Sequence, residues 1–237
     1  MKTIGILGGM SWESTATYYR LLNEGVREAC GKLHSAPIVL RSVDFQPLQQ
    51  YQHEGRWQEI STTLSRAAQQ IEAAEAECLL LATNTMHKVA DDLSAAVNIP
   101  LLHIADAVGE ECHAGALDKI GLLATAFTME DNFYQKHLQE QYGITVAVPP
   151  AAQRQRLHEI IYQELCQGEK KATSKQYLLQ CIDDLAAAGA QAVLLGCTEI
   201  GLLIEQQDSP LLLLDSTVLH VEQALRWSLG GDATVSE

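Results

Sequence analysis

"AVLLGCTEIG", residues 192–201, is an apolar run that stops at a glycine, a cysteine, a threonine and a glutamate. Nothing alternates between Ala192 and Leu195, so the segment does not read as a strand with one wet face. A short continuous apolar run bounded by turn residues is the pattern of a strand buried on both sides, and such strands belong to parallel sheets covered by helices. Seven further runs share this character: "TIGILG" from Thr3, "PIVLRSV" from Pro37, "CLLLAT" from Cys78, "PLLHIA" from Pro100, "KIGLLAT" from Lys119, "ITVAVP" from Ile144 and "PLLLLD" from Pro210. Between most of them lie segments long enough for a helix, among them Glu13 to Cys30, Trp57 to Ala74 and Lys175 to Ala188. Strands alternating with helices predict an α/β protein.

The runs also repeat in order. "IGIL" at Ile4 recurs as "IGLL" at Ile120, "LLLATNT" at Leu79 as "VLLGCTE" at Val193, and "PLLHIAD" at Pro100 as "PLLLLDS" at Pro210. Ordered matches at a nearly constant offset point to an internal duplication. The expected architecture is two similar Rossmann-like α/β domains, each with a parallel sheet, related by a pseudo-two-fold axis with the active site between them. The first domain would hold residues 1–100 and 210–237, and the second 101–209. Ligands of open α/β sheets bind beyond the carboxyl ends of the strands. In the duplicated alignment the counterpart of Cys197 is Thr83, so one side chain would approach a ligand from each half. Two proton-transfer groups on opposite faces of one carbon are what inversion of a stereocentre requires.

Composition narrows the partners. A net charge of −14 and the lack of any Lys/Arg-rich patch argue against nucleic acid, whose phosphates need clustered cations. The apolar runs are of strand length, far short of the roughly 20 residues of a membrane span. "MKTIGILGGM" has too short an apolar run for a secretory signal and leads into a helical pattern, so a cytoplasmic protein is expected. The six cysteines form no C-x-x-C pair and show no metal-ligand spacing with the eight histidines, which suits free thiols in a reducing compartment.

Four motifs in order, "GILGGMSWEST" at the start, "ATNTMH" from Ala82, "GLLATAFTM" from Gly121 and "GCTEIGLL" from Gly196, resemble the cofactor-independent aspartate/glutamate racemases. The resemblance covers nearly the whole chain. It implies an amino-acid substrate held between two α/β domains, no cofactor, no metal, a homodimer, and two cysteines that act as acid and base on opposite faces of Cα. The cysteine of the GCT motif, here Cys197, is the one implied to act on the L-enantiomer. The other family cysteine directly precedes Asn-Thr, and this chain has Thr83 there, before Asn84 and Thr85. A thiol titrates near 8.5 and backbone N–H groups can lower that value, whereas an alkanol has no accessible anion near neutral pH. Deprotonation of L-substrates by Cys197 and a slow or absent reaction from D-substrates are therefore expected. By the same resemblance Met10, Gln52, Thr125 and Glu199 line the cleft, while Asn84, Thr85 and Thr198 would donate to the substrate carboxylate as charge builds on it.

Plainer readings stand beside these. Asn84 and Thr85 suit N-caps of a helix at His87 to Leu93, and Glu199 suits a first-turn carboxylate facing a helix dipole. His87 and Lys88 read as helix surface, and Asp106 and Asp215 as turn caps at matching strand ends. "GILGGM" lacks the third glycine of a dinucleotide fingerprint. The other cysteines, Cys30, Cys78, Cys112, Cys166 and Cys181, read as inert, and "GGDATVSE" at the end reads as disordered. Two functional alternatives remain open: a one-cysteine relative such as an arylmalonate decarboxylase, which needs no opposing thiol, and a non-catalytic amino-acid-binding protein.

Overall fold

Ile4 and Ile6 alternate with Gly5 and Leu7 along the first strand, and all four are buried, so both faces of that strand need cover. In a computed structural model, which describes residues 1–230, helices supply it. The elements run β1 (Ile4–Gly8), α1 (Trp12–Cys30), β2 (Ile38–Ser42), α2 (Phe45–His53), α3 (Trp57–Ala73), β3 (Cys78–Leu81), α4 (Ala90–Ala96), β4 (Leu101–Leu102) and α5 (Ile104–Ala114). They continue as β5 (Lys119–Leu123), α6 (Ala126–Glu130), α7 (Phe133–Tyr142), β6 (Thr145–Ala147), α8 (Ala151–Gln163), α9 (Ala172–Ala187), β7 (Ala192–Leu195), β8 (Leu212–Asp215) and α10 (Ser216–Leu229). The expectation for the tail falls mostly on residues 231–237, which lie outside the described residues.

Two four-stranded sheets form, in the orders β2-β1-β3-β4 and β6-β5-β7-β8, and all the pairings are parallel. The fold is α/β, as expected, with one topology used twice. Register makes the duplication concrete. Ile4 pairs with Cys78 as Ile120 pairs with Ala192, which keeps the alignment of Leu79 with Val193. The third match slips. Leu79 faces Leu101 and Val193 faces Leu213, so Leu101 corresponds to Leu213, two residues beyond the position implied by matching Pro100 with Pro210.

The chain divides into two compact units, Met1–Ile104 with the segment from His220 onward, and Ala105–Leu219. The return to the first unit thus comes ten residues later than the sequence reading places it, because β8 hydrogen-bonds to β7 and so belongs to the second sheet.

In the first unit, Tyr18, Leu22 and Val26 recur every four residues on α1 and pack with Ile4, Ile6, Cys78 and Leu80 and with Val221, Ala224 and Leu225 of α10. Leu7, Leu79 and Leu81 face the other way, onto Ile60, Leu64 and Ile71 of α3. Such spacing lays one helix face on each side of the sheet. In the second unit Leu178, Ile182 and Leu185 of α9 are buried together with Ile120, Leu122, Val193 and Leu194 of the central strands. Gly5 and Gly121 are equivalent, and each lets a helix come close: a Cβ on Gly5 would meet the Ile71 side chain, and one on Gly121 would lie 2.8 Å from Leu185.

Candidate active site

Each central strand ends in a tight polar turn. After β1 the chain turns through Gly9, at φ +95°, where a Cβ would lie 2.6 Å from the Val43 nitrogen, so the position demands glycine. Thr15 of α1 locks this turn, since its hydroxyl accepts from the Gly9 N–H at 2.8 Å and donates to the Ser11 carbonyl at 2.9 Å. Ser11 in turn caps α1 through Ser14 N at 3.3 Å. Met10 follows Gly9 and is buried among Leu7, Leu48 and Met86.

The exit of β3 carries Thr83, Asn84 and Thr85. Asn84 is 7% exposed and stands at the cap position of a 3-10 helix, Thr85–Val89, which runs into α4. Its backbone is already helical and its side chain makes no capping bond, so the expected N-cap at Asn84 is not formed. His87 is not surface either: it is 3% exposed, and its Nδ1 lies 2.8 Å from the Thr83 carbonyl. The segment from Thr85 to Val89 is a 3-10 turn rather than the start of an α-helix, and His87 is among its buried residues. Lys88 lies over the Trp57 ring at 4.2 Å. Gln52, near the end of α2, is 4% exposed, and its Nε2 has no hydrogen-bond partner among the described residues. The first unit therefore gathers Met10, Thr83, Asn84 and Thr85 at the carboxyl ends of adjacent strands β1 and β3, and Gln52 on the helix that follows β2.

In the second unit the equivalent turns follow β5 and β7. Thr125 is 8% exposed and precedes α6; its carbonyl accepts from the Thr128 and Met129 N–H groups, each at 3.0 Å. Cys197 follows Gly196, where a Cβ would crowd Leu122 at 2.9 Å and Ala124 at 3.0 Å. The Cys197 thiol donates to Glu199 Oε2 at 2.9 Å, and the Thr198 hydroxyl donates to the same oxygen at 2.7 Å. Glu199 is 7% exposed. Burial, then the Glu199 charge and the bond to it, push the Cys197 thiol well above its ordinary value. The local backbone N–H lowers it, the direction expected from sequence, but that effect is the smaller one.

Two residues here escape sequence reasoning. Tyr162 on α8 is pushed up by burial and then by the charges of Cys197, Cys166 and Glu199, so its phenol belongs to the Cys197 neighbourhood. His158 packs against it at 4.6 Å and accepts from the Ala126 N–H at 3.4 Å, at the start of α6. A helix far along the chain, with no motif of its own, offers no signal for either. Of the two aspartates read as turn caps, Asp215 accepts from Thr217 N at 2.8 Å and Val218 N at 3.2 Å at the head of α10. Asp106 instead lies inside α5 and receives His137 Nε2 at 2.6 Å and the Tyr142 hydroxyl at 3.2 Å.

The turn after β7 sets a thiol against a buried carboxylate, a pairing suited to proton transfer. The sequence profile of the Asp/Glu/Hydantoin racemase family matches residues 7–224. The chain belongs to this family. Among solved structures, a candidate Asp/Glu racemase from Yersinia pestis is 46% identical, with TM-score 0.92 over 97% of this chain and 100% of that one. An aspartate racemase homologue from Pyrococcus horikoshii OT3 is 35% identical, with TM-score 0.85 over 97% of this chain and 100% of that one. Aspartate racemase from Picrophilus torridus shares the racemase fold at 18% identity, with TM-score 0.76 over 99% of this chain and 96% of that one. Among the described residues, no helix of this racemase-family chain is long and apolar enough to cross a membrane.

Proposed function

We propose that the protein is a racemase of aspartate or glutamate that works by 1,1-proton transfer at Cα without pyridoxal phosphate or metal, with the L-enantiomer the better substrate. The observation that carries this reading is the Cys197 thiol bonded to the buried Glu199 carboxylate at the exit of β7. With no substrate the thiol holds its proton, because a thiolate beside a buried carboxylate is electrostatically costly. A substrate ammonium set against Glu199 offsets that charge and lets the thiol release its proton to solvent, so the base forms where an amino acid is present. The thiolate then takes the α-proton of the L-enantiomer. The developing negative charge spreads onto the substrate carboxylate, which Asn84, Thr85 and Thr198 would meet with donors. Gln52 Nε2, buried and unpartnered among the described residues, suits the side-chain carboxylate of a dicarboxylic amino acid. Met10 and Thr125 would shape the walls.

Thr83 is assigned to the opposite face, as the group through which a proton is delivered. An alkanol donates to a strongly basic carbanion, and solvent reprotonates the alkoxide left behind. It is a poor base, however, so α-proton exchange with retention is slow for the D-enantiomer; kcat/KM for racemisation is equal from either side, and the preference for L shows in kcat and in exchange. We further take the protein to be a homodimer, which sedimentation of the purified chain tests, and to be cytoplasmic, which fractionation of cells tests.

The test is incubation with L-Asp and L-Glu in deuterated water, with EDTA and without added cofactor, following loss of the α-proton signal and product chirality. Exchange that disappears in Cys197→Ala, with D-product in the wild type, is the expected result. No exchange with either amino acid overturns the reading, and arylmalonate decarboxylation, which needs a single thiol, becomes the next assay.

A further inference from the structure

Thr83 has no thiol to tune, so what its face contributes depends on where its hydroxyl is held. Its backbone is clamped on both sides: the N–H donates to the Leu81 carbonyl at 2.8 Å, and the carbonyl meets His87 Nδ1 at 2.8 Å. In an α-helical turn the Thr83 carbonyl would take the N–H of residue 87. Here that N–H goes to the Asn84 carbonyl at 3.1 Å, and the imidazole of the same residue replaces it. The other ring nitrogen, Nε2, receives the Ile104 N–H at 3.2 Å. A carbonyl can only accept and a peptide N–H can only donate. The two partners together therefore select the neutral imidazole with its proton on Nδ1.

The ring is walled in as well. His103 meets it edge-on at 4.5 Å and His220 at 5.9 Å between ring centroids. His220 is held in turn, with Nε2–H donating to the Leu102 carbonyl at 2.7 Å and Nδ1 at 2.8 Å from the Tyr18 hydroxyl. His87 thus ties the exit of β3 to the first residue of α5, and both its nitrogens are already engaged, which leaves it no free site for acid or base work.

We propose that His87 is the positioning residue of the Thr83 face: its Nδ1–H holds the Thr83 carbonyl so that the Thr83 hydroxyl is placed to deliver a proton to the substrate. This rests on the racemase reading. Proton delivery is sensitive to placement, and an error of about 1 Å costs on the order of a hundred-fold. Releasing the carbonyl should therefore reduce delivery at Thr83 more than abstraction at Cys197.

Two near-isosteric variants separate the bonds. In His87→Asn the amide nitrogen reaches the position of Nδ1 and can still donate to the Thr83 carbonyl. In His87→Gln the amide reaches the position of Nε2, so the contact with Ile104 is kept and the one with Thr83 is lost. The reading is the ratio of inversion to total α-proton exchange, starting from L-Asp or L-Glu in deuterated water. The ratio should fall by about ten-fold or more in His87→Gln and recover toward wild type in His87→Asn. A general loss of structure would lower exchange and inversion together and leave the ratio unmoved, and that result overturns the proposal. Nitrogen-15 NMR of labelled histidine in the wild type tests it without any variant: protonation on Nδ1 alone is expected, and a proton on Nε2 at neutral pH overturns it. A wild type with no exchange sinks the racemase reading and this inference together, whereas racemisation with an unchanged ratio in His87→Gln sinks only the inference.

Discussion

The Cys197 proton lies on a bond to Glu199 Oε2, and burial, the Glu199 charge and that bond together hold the thiol above its ordinary value. Because the thiol sits well above its ordinary value, little thiolate exists at pH 8 in the free protein. Glu199→Gln removes the charge and leaves only a neutral amide oxygen as acceptor, so the thiol value falls, and each unit is a ten-fold gain in thiolate. Iodoacetamide labelling of Cys197 at pH 8, followed by peptide mass spectrometry, should speed up by about ten-fold or more in this variant, while turnover of the amino acid falls. Gln52 invites a second test of opposite character. Its buried Nε2 has no partner among the described residues, so Gln52→Leu should leave thermal stability unchanged or raised, since an unsatisfied buried donor is lost. The same change should raise KM for the dicarboxylic substrate by about ten-fold, the loss of one hydrogen bond to a charged group. The cysteine, the threonine and the glutamate were legible in the one-letter code as "GCTE". Their mutual bond was not, because a two-residue spacing says nothing about which side chain folds back on which.

At the scale of the element, the turn after β1 rests on one hydroxyl. Thr15→Val keeps the shape and loses both bonds, leaving the buried Gly9 N–H unsatisfied, at a cost of about 1–3 kcal/mol. Urea denaturation should show a lower midpoint with an unchanged slope. The eight strands could be read from sequence because each is an apolar run between turn residues, and α1, α3 and α9 because their buried positions recur at helical spacing. The exit of β4 could not be read so closely. "PLLHIA" looks like six residues of strand, yet only Leu101–Leu102 pair with β3, and α5 begins at Ile104, whose N–H is taken by His87. The side chain that takes this N–H lies 17 residues away, and no local pattern carries that information.

For the whole molecule, the buried thiols make a prediction about alkali. Burial pushes Cys78 and Cys181 up to about 12 and Cys112 up to about 11. In the unfolded chain each would titrate near 8.5. Above that pH the unfolded state releases protons that the folded state retains, so stability is intact below about pH 8.5 and declines as pH rises toward 11–12, by up to about 1.4 kcal/mol per unit for each thiol. Thermal melts between pH 8 and 10.5 should show a steep fall in Tm, and Cys181→Ala should make that fall shallower. These three cysteines belong to the cores of the two units, which is why they read as inert from sequence.

The sequence by itself determined the α/β class, the doubled order of strands, and the polar turns that follow the central strands, because burial on both faces and the demands of tight turns are written locally in residue type and spacing. Only the tertiary structure decided that β8 stays with the second sheet, that the Cys197 thiol donates to Glu199, and that His87 is buried against the Thr83 carbonyl. Each of these depends on which groups meet once water is excluded, and that is a property of the packed chain.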